Sequence, residues 1–249
     1  PANHEVERLE VNYRNPSDGT EVPALLFRPK DGGRYPAVLF AHGRRGLDPL
    51  TERLPLGIAG RGFIVLAPNA YAARFIAPMP IAHDPDTELD MGAGVDALLA
   101  RPEVSTSKVC IVSHTRGGYI ALKIAVTPGR QDNAVACLDA YYPHWQHPGA
   151  PEPDQVYRHA GEVEQLRLPT LVFMGEFEQY QRRRSIESAV AAMKSAGKPV
   201  RLIVYPGVGR GFEFRSAEVR TFADDLAAKD AIHRAAAFMS KHLAASARN

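Results

Sequence analysis

Residues 108–121 read KVCIVSHTRGGYIA, and this stretch decides the fold. Its apolar run, residues 109–112, is followed by a tight polar segment, a glycine pair and residues with helical spacing. The order predicts a buried strand, a sharp turn and a helix, which is the layout of a nucleophile elbow. Elbows usually read G-x-S-x-G, whereas the five positions here read SHTRG and place Thr115 at the tip.

Strand patterns alternate with helical patterns along the rest of the chain. Residues 5–14 and 21–28 predict an opening antiparallel hairpin. Further strands are predicted at residues 36–41, 62–68, 134–142, 169–174 and 199–205, and helices at residues 50–60, 86–100, 116–126, 155–166, 183–196 and 221–245. We expect one α/β domain over residues 1–249, with an eight-stranded, mainly parallel sheet and helices on both faces. Ligands bind beyond the carboxyl ends of such strands, so the loops there should form one rim.

The composition is that of an ordinary soluble globular protein. The 249 residues are 45% hydrophobic and 23% charged, with a formal net charge of +2. So small a charge does not favour nucleic acid or a membrane as partner, and no apolar run reaches the roughly 18 residues of a membrane span. No zinc-like cysteine spacing occurs, so we expect no metal and no cofactor. We expect a cytoplasmic monomer or homodimer that binds a small molecule.

The chain has two cysteines, Cys110 and Cys137. Both lie inside apolar strand patterns, and unpaired cysteine is among the most buried residue types. We therefore expect two buried free thiols rather than a disulfide.

Several short motifs occur in an order that resembles a known family. They are His42-Gly43 with Gly46, residues 62–68, the elbow, Gly175-Glu176, Glu178, Tyr205-Pro206-Gly207 and Gly211-Phe212. With the opening hairpin and the closing helix, this order resembles the dienelactone hydrolase branch of the α/β-hydrolase superfamily. The resemblance covers nearly the whole chain. It implies the α/β-hydrolase fold and, as substrate, a small acidic ester or lactone.

The resemblance also implies where a catalytic triad would lie. The nucleophile, acid and base positions of the family fall on Thr115, Glu178 and Arg210. Arginine cannot accept the proton of a nucleophile, because its pKa lies above about 12 and it offers only donors. We therefore expect ordinary triad hydrolysis to be impaired or altered. Glu178 and Arg210 should form an ion pair, either as a structural bridge or to present charge to a bound anion.

Four histidines lie near the expected site, where Arg210 cannot act as the base. His144 and His147 follow a strand end on the expected rim, and either could substitute, the alternative being a solvated loop position. His114 is expected in the core, because the position before an elbow tip points into the protein. His42 is expected to brace its loop.

The remaining candidates concern binding. The backbone N–H groups of Arg44 and Arg116 are the expected oxyanion donors, since such a site needs amides and no particular side chain. An anionic substrate would be bound by arginines and polar groups of the rim, namely Arg45, Arg74, Tyr142 and His144. A solvated basic surface is the alternative explanation of these arginines.

Three functions remain open at this point. The first is a dienelactone hydrolase-like protein that acts on a small acidic ester or lactone through an altered Thr115/Glu178/Arg210 triad. The second is a non-catalytic member of the fold that binds an anionic small molecule. The third is a lyase or isomerase that uses the oxyanion donors.

Overall fold

The computed structural model describes residues 2–248 and contains an eight-stranded sheet. The strands are β1 Val6–Arg14, β2 Glu21–Pro29, β3 Tyr35–Ala41, β4 Ile64–Pro68, β5 Val104–His114, β6 Val135–Tyr141, β7 Thr170–Gly175 and β8 Val200–Tyr205. They lie in the order β1-β2-β4-β3-β5-β6-β7-β8. β2 pairs antiparallel with β1 and β4, and the other neighbouring strands are parallel. The predicted α/β architecture with an antiparallel N-terminal hairpin is confirmed.

Two groups of helices cover the sheet. The helices are α1 Arg53–Ala59, α2 Ala70–Ala73, α3 Asp86–Leu99, α4 Gly117–Val126, α5 Arg130–Asn133, α6 Glu152–Tyr157, α7 Glu162–Gln165, α8 Tyr180–Ser195 and α9 Phe222–Leu243. α1 contacts α9, whereas α3 contacts α4, and members of both groups pack on the central strands. None of the helices in residues 2–248 is long and apolar enough to cross a membrane.

The central strands owe their position to continuous apolar sequence. Val38, Leu39 and Phe40 of β3 are fully buried, as are Ile64 and Val65 of β4. Strands that are buried on both faces read as unbroken apolar runs rather than as alternating ones. The loops at their carboxyl ends therefore emerge together at one edge of a rigid sheet.

The expectation of two free thiols is wrong. Cys110 on β5 and Cys137 on β6 are directly paired in register, and a disulfide joins them across a Cα–Cα distance of 4.7 Å. The expectation rests on each apolar run by itself, whereas the pairing depends on strand register, which neither run reveals. Disulfides are rare in cytosolic proteins, so the bridge weighs against the expected cytoplasmic location.

The single helix expected at residues 155–166 is also wrong. Two short helices, α6 and α7, occupy this segment, and Arg158 between them is extended, with φ −127° and ψ 148°. The N–H of Ala160 donates to the carbonyl of Trp145 at 2.7 Å. This tertiary hydrogen bond takes the place of the helical one at Ala160.

Candidate active site

The elbow tip has a strained backbone. β5 ends at His114 and α4 begins at Gly117, and Thr115 between them has a φ of 46°. A positive φ is uncommon for a β-branched residue, and strain of this kind clusters at functional sites. The turn also needs glycine, because a Cβ at Gly117 would lie 2.1 Å from the carbonyl oxygen of Ala41. The geometry of an elbow is therefore present, with Thr115 at its tip.

The Thr115 hydroxyl projects towards the loop that follows β3. A Cβ at Gly43 would lie only 2.0 Å from Thr115 Oγ1, so this hydroxyl fits only beside a glycine. Within residues 2–248, Thr115 Oγ1 has no hydrogen-bond partner. In particular, no histidine is hydrogen-bonded to it in the way that a triad requires.

Two backbone amides beside this hydroxyl are unused. Arg116 directly follows Thr115, and Arg44 directly follows Gly43. Neither N–H donates a hydrogen bond within the described part of the chain. Free amides next to a nucleophile position are the donors that stabilise an oxyanion in acyl transfer.

The acid and base positions of the expected triad form an ion pair. The Glu178 side chain is fully buried, and it accepts from Arg210 Nη2 at 2.7 Å and from Arg210 Nε at 3.1 Å. The Gln179 N–H adds a hydrogen bond of 2.9 Å to the same carboxylate. Arg210 thus satisfies Glu178 and offers no proton acceptor to Thr115.

Of the two histidines proposed as a substitute base, His144 lies against the elbow. Its backbone N–H donates to the carbonyl oxygen of Thr115 at 2.8 Å. The side chain is buried, and Nε2 has no hydrogen-bond partner among the described residues. Burial, reinforced by nearby guanidinium groups, lowers the pKa of His144 well below its ordinary value, which keeps the ring neutral. His147, in contrast, is exposed, and its Nδ1 accepts from the Gly149 N–H.

The side chains of Arg44 and Arg116 hold a loop over the rim. Arg44 Nε donates to the carbonyl oxygen of Pro80 at 2.7 Å, and Arg116 Nη1 donates to the same oxygen at 3.2 Å. The other bonds of these two guanidinium groups also reach carbonyls of residues 79–82. Two cations therefore converge on one neutral carbonyl.

Arg45 and Arg74 are engaged elsewhere. Arg45 pairs with Asp48 three residues on. Arg74 donates to both carboxylate oxygens of Asp90, at 2.6 and 2.8 Å, and to Asp18 at 2.7 Å. These carboxylates neutralise both guanidinium groups, so neither arginine joins the cations around Thr115.

A buried polar cluster lies beneath the elbow, and sequence reasoning missed most of it. His114 Nε2 lies 2.5 Å from Glu213 Oε1, and the buried Tyr142 hydroxyl donates to the same oxygen, so Tyr142 turns its polar end away from the rim. Asp139 is fully buried with both carboxylate oxygens unpartnered. Burial, followed by the charge of Glu213, raises its pKa well above the ordinary range, which favours the neutral acid. The available signal was a glutamate within the apolar run GFEF.

His42 braces its loop, as the sequence predicted. The ring is fully buried, and Nδ1 lies 2.8 Å from the carbonyl oxygen of Gly43. Tyr71 packs edge-on against it at 4.7 Å. Among residues 2–248, no group of three or more His, Cys, Asp or Glu side chains could hold a metal ion.

Solved structures resemble this chain over nearly its whole length. A protein assigned as a dienelactone hydrolase from Klebsiella pneumoniae is 20% identical, with a TM-score of 0.72 over 96% of this chain and 100% of its own. Brefeldin A esterase, a bacterial homologue of human hormone-sensitive lipase, is 18% identical, with a TM-score of 0.73 over 98% and 79%. Carboxyl esterase 2 of Tuber melanosporum is 16% identical, with a TM-score of 0.73 over 96% and 88%. At these identities the likeness shows the α/β-hydrolase fold.

The family is shown by the sequence itself. No curated protein matches the chain. The family model of the dienelactone hydrolases, however, matches residues 22–243, which includes the elbow, Glu178 and Arg210. The chain belongs to the dienelactone hydrolase family.

Proposed function

We propose that this protein hydrolyses a small ester or lactone that carries an acidic group, with Thr115 at the point of attack and without a conventional triad. The observation that carries the proposal is the elbow tip. Thr115 has a φ of 46°, and the unused amides of Arg44 and Arg116 lie beside it. A backbone that is strained in this way persists only where its surroundings hold it.

In the proposed reaction, Thr115 Oγ1 bonds to the carbonyl carbon and loses its proton. The charge that develops on the carbonyl oxygen is stabilised by the two amides. The alcohol then leaves with a proton, and water hydrolyses the acyl-threonine. Because Arg210 cannot accept a proton, the proton of Thr115 passes to water or to the neutral His144, which then returns it to the departing alcohol.

The rate should therefore be low. In a well-studied serine protease, loss of triad members lowers kcat by about 10⁶ and leaves about 10³ over water from oxyanion donors and binding. We expect weak turnover of this residual kind.

The test compares aryl-ester and lactone hydrolysis by wild type, by Thr115→Ala and by the double variant Thr115→Ser with Arg210→His. We expect weak activity in wild type, background activity in Thr115→Ala, and a gain of about 10² or more in the double variant, which regains a base. Equal activity of wild type and Thr115→Ala would refute attack by Thr115.

A second function is favoured by the Glu178–Arg210 pair. Arg210 is bound to the buried carboxylate through two nitrogens, and in the described part of the chain no imidazole is hydrogen-bonded to Thr115 Oγ1. These features suit a protein that binds an anionic small molecule without turning it over. If only the double variant hydrolyses any substrate, this binding function is the better account.

A further inference from the structure

A narrow cleft beside the elbow has an unusual set of lining groups. Its polar lining consists of Arg116, Tyr119, His144, Gln146, Gln155 and Arg182. Two of these groups are guanidinium cations and the others are neutral, and among residues 2–248 no carboxylate lines the cleft. Such a lining suits a ligand that accepts hydrogen bonds and carries negative charge.

The two cations of the cleft have only neutral partners. Arg182 Nη1 donates to the side-chain oxygen of Gln146 at 2.8 Å, and the Arg116 guanidinium donates to backbone carbonyls of residues 80–82. Neither guanidinium has a carboxylate within 4.0 Å anywhere in residues 2–248. Burial, and next the charge of Arg210, lowers the pKa of Arg182 to about 10. A cation held in this way is stabilised when an anion arrives.

The third group that points to a ligand is His144. Its side chain is more than nine-tenths buried, and its Nε2 faces no partner among the described residues. A buried polar atom of this kind costs free energy unless a ligand or water satisfies it. The neutral ring can donate an N–H bond from Nε2 to an anion.

We propose that this cleft binds an oxyanion, a carboxylate or phosphate group of the ligand, between the guanidinium groups of Arg116 and Arg182 and the imidazole of His144. The inference rests on the proposed function and deepens it, because it names the group by which the ligand is held. Glu178 is the carboxylate that faces these cations, and Arg210 already neutralises it. The site should therefore prefer a dianion to a monoanion.

The test measures binding without catalysis. Isothermal titration calorimetry at pH 7.5 and constant ionic strength uses inorganic phosphate, succinate and acetate as separate probes. The variants are Arg182→Gln and, because that change could harm folding, Arg182→Lys, which keeps the charge but loses the planar fork. Arg184→Gln is the matched control, since Arg184 lies on the same helix but is exposed and stacks on Tyr157.

We expect saturable binding of phosphate or succinate that is tighter than that of acetate. The preferred dianion shows whether the natural group is a phosphate or a pair of carboxylates. Arg182→Gln should weaken this binding about tenfold or more, since it removes a charge-assisted hydrogen bond to the anion. Arg182→Lys should weaken it less, and Arg184→Gln should match wild type. Absence of saturable binding, or equal affinity of wild type and both Arg182 variants, would overturn the inference.

The same titration separates this inference from the proposed function. Thr115→Ala should bind the probe as wild type does, because Thr115 does not line the cleft. Oxyanion binding without any Thr115-dependent hydrolysis would refute the proposed reaction and leave the cleft assignment intact. Thr115-dependent hydrolysis without oxyanion binding would support the proposed reaction and refute the cleft assignment.

Discussion

Arg210→Ala should destabilise the protein more than Arg210→Ala combined with Glu178→Gln. The reason is that Arg210 neutralises a carboxylate whose side chain is fully buried. Without Arg210, Glu178 is a buried charge with no direct partner cation. Replacing the carboxylate by an amide removes that charge, so the second substitution should rescue the first.

The magnitude follows from the contacts. Removing one partner of a buried ion pair usually costs about 3–5 kcal/mol. The Gln179 N–H still donates to the carboxylate at 2.9 Å, and the Arg210 side chain is 28% exposed, so the lower end, about 3 kcal/mol, is expected here. For a chain of this size each kcal/mol shifts Tm by about 2–4 °C, which gives a fall of about 6–12 °C.

The assay is urea unfolding, with Tm as a second readout, for both single variants and the double variant. Arg184→Ala serves as control, since a change at an exposed position should stay within about 0.5 kcal/mol of wild type. The double variant should recover at least about 1 kcal/mol relative to Arg210→Ala. A double variant no more stable than Arg210→Ala would show that Glu178 is not a charge that needs Arg210.

Three further predictions concern the scaffold. Burial lowers the pKa of His42 from 6.5 to about 4, so the unfolded chain binds a proton at higher pH than the folded protein does. The resulting stabilisation of the folded protein is present above about pH 6.5 and is lost as the pH falls towards 4. Between pH 7.5 and 5.0, urea unfolding should therefore show that His42→Gln loses about 2 kcal/mol less stability than wild type does. Thr221 forms a capping box with Asp224 at the start of α9, so Thr221→Ala should cost about 1 kcal/mol, and an unchanged Tm would contradict this. Thiol titration of the denatured, unreduced protein should find neither Cys110 nor Cys137 free, and two thiols should appear after reduction.

The sequence predicted where the strands and the elbow lie along the chain because both depend on local pattern. An unbroken apolar run indicates a strand buried on both faces, and the SHTRGG segment that follows β5 indicates a sharp turn whatever its side chains do. The Glu178–Arg210 contact could also be predicted, since a carboxylate and a cation occupied two positions that the family brings together. These features need no knowledge of register.

What the sequence could not predict depends on register and on distant contacts. The disulfide requires that Cys110 and Cys137 be paired across β5 and β6. The engagement of Arg74 by Asp90 and Asp18 depends on how α3 and the first hairpin loop meet. The number of arginines in the rim loops therefore overstated the positive charge that is available to a ligand. Only the three-dimensional structure shows which of these arginines are paired with a carboxylate and which are not.

The buried cluster beneath the elbow explains why the elbow keeps its geometry with Thr115 at its tip. His114 is adjacent to Thr115, and Glu213 lies three residues after Arg210, so their contact ties together from below the loops that carry Thr115 and Arg210. Tyr142, which has a positive φ of 38°, donates to the same carboxylate and adds the third rim loop. Strained backbone persists only where packing over-determines it. Because these contacts involve neither Thr115 Oγ1 nor the Arg210 guanidinium, the side chains at these two positions can change while the strained tip, the free amides and the cationic cleft stay in place.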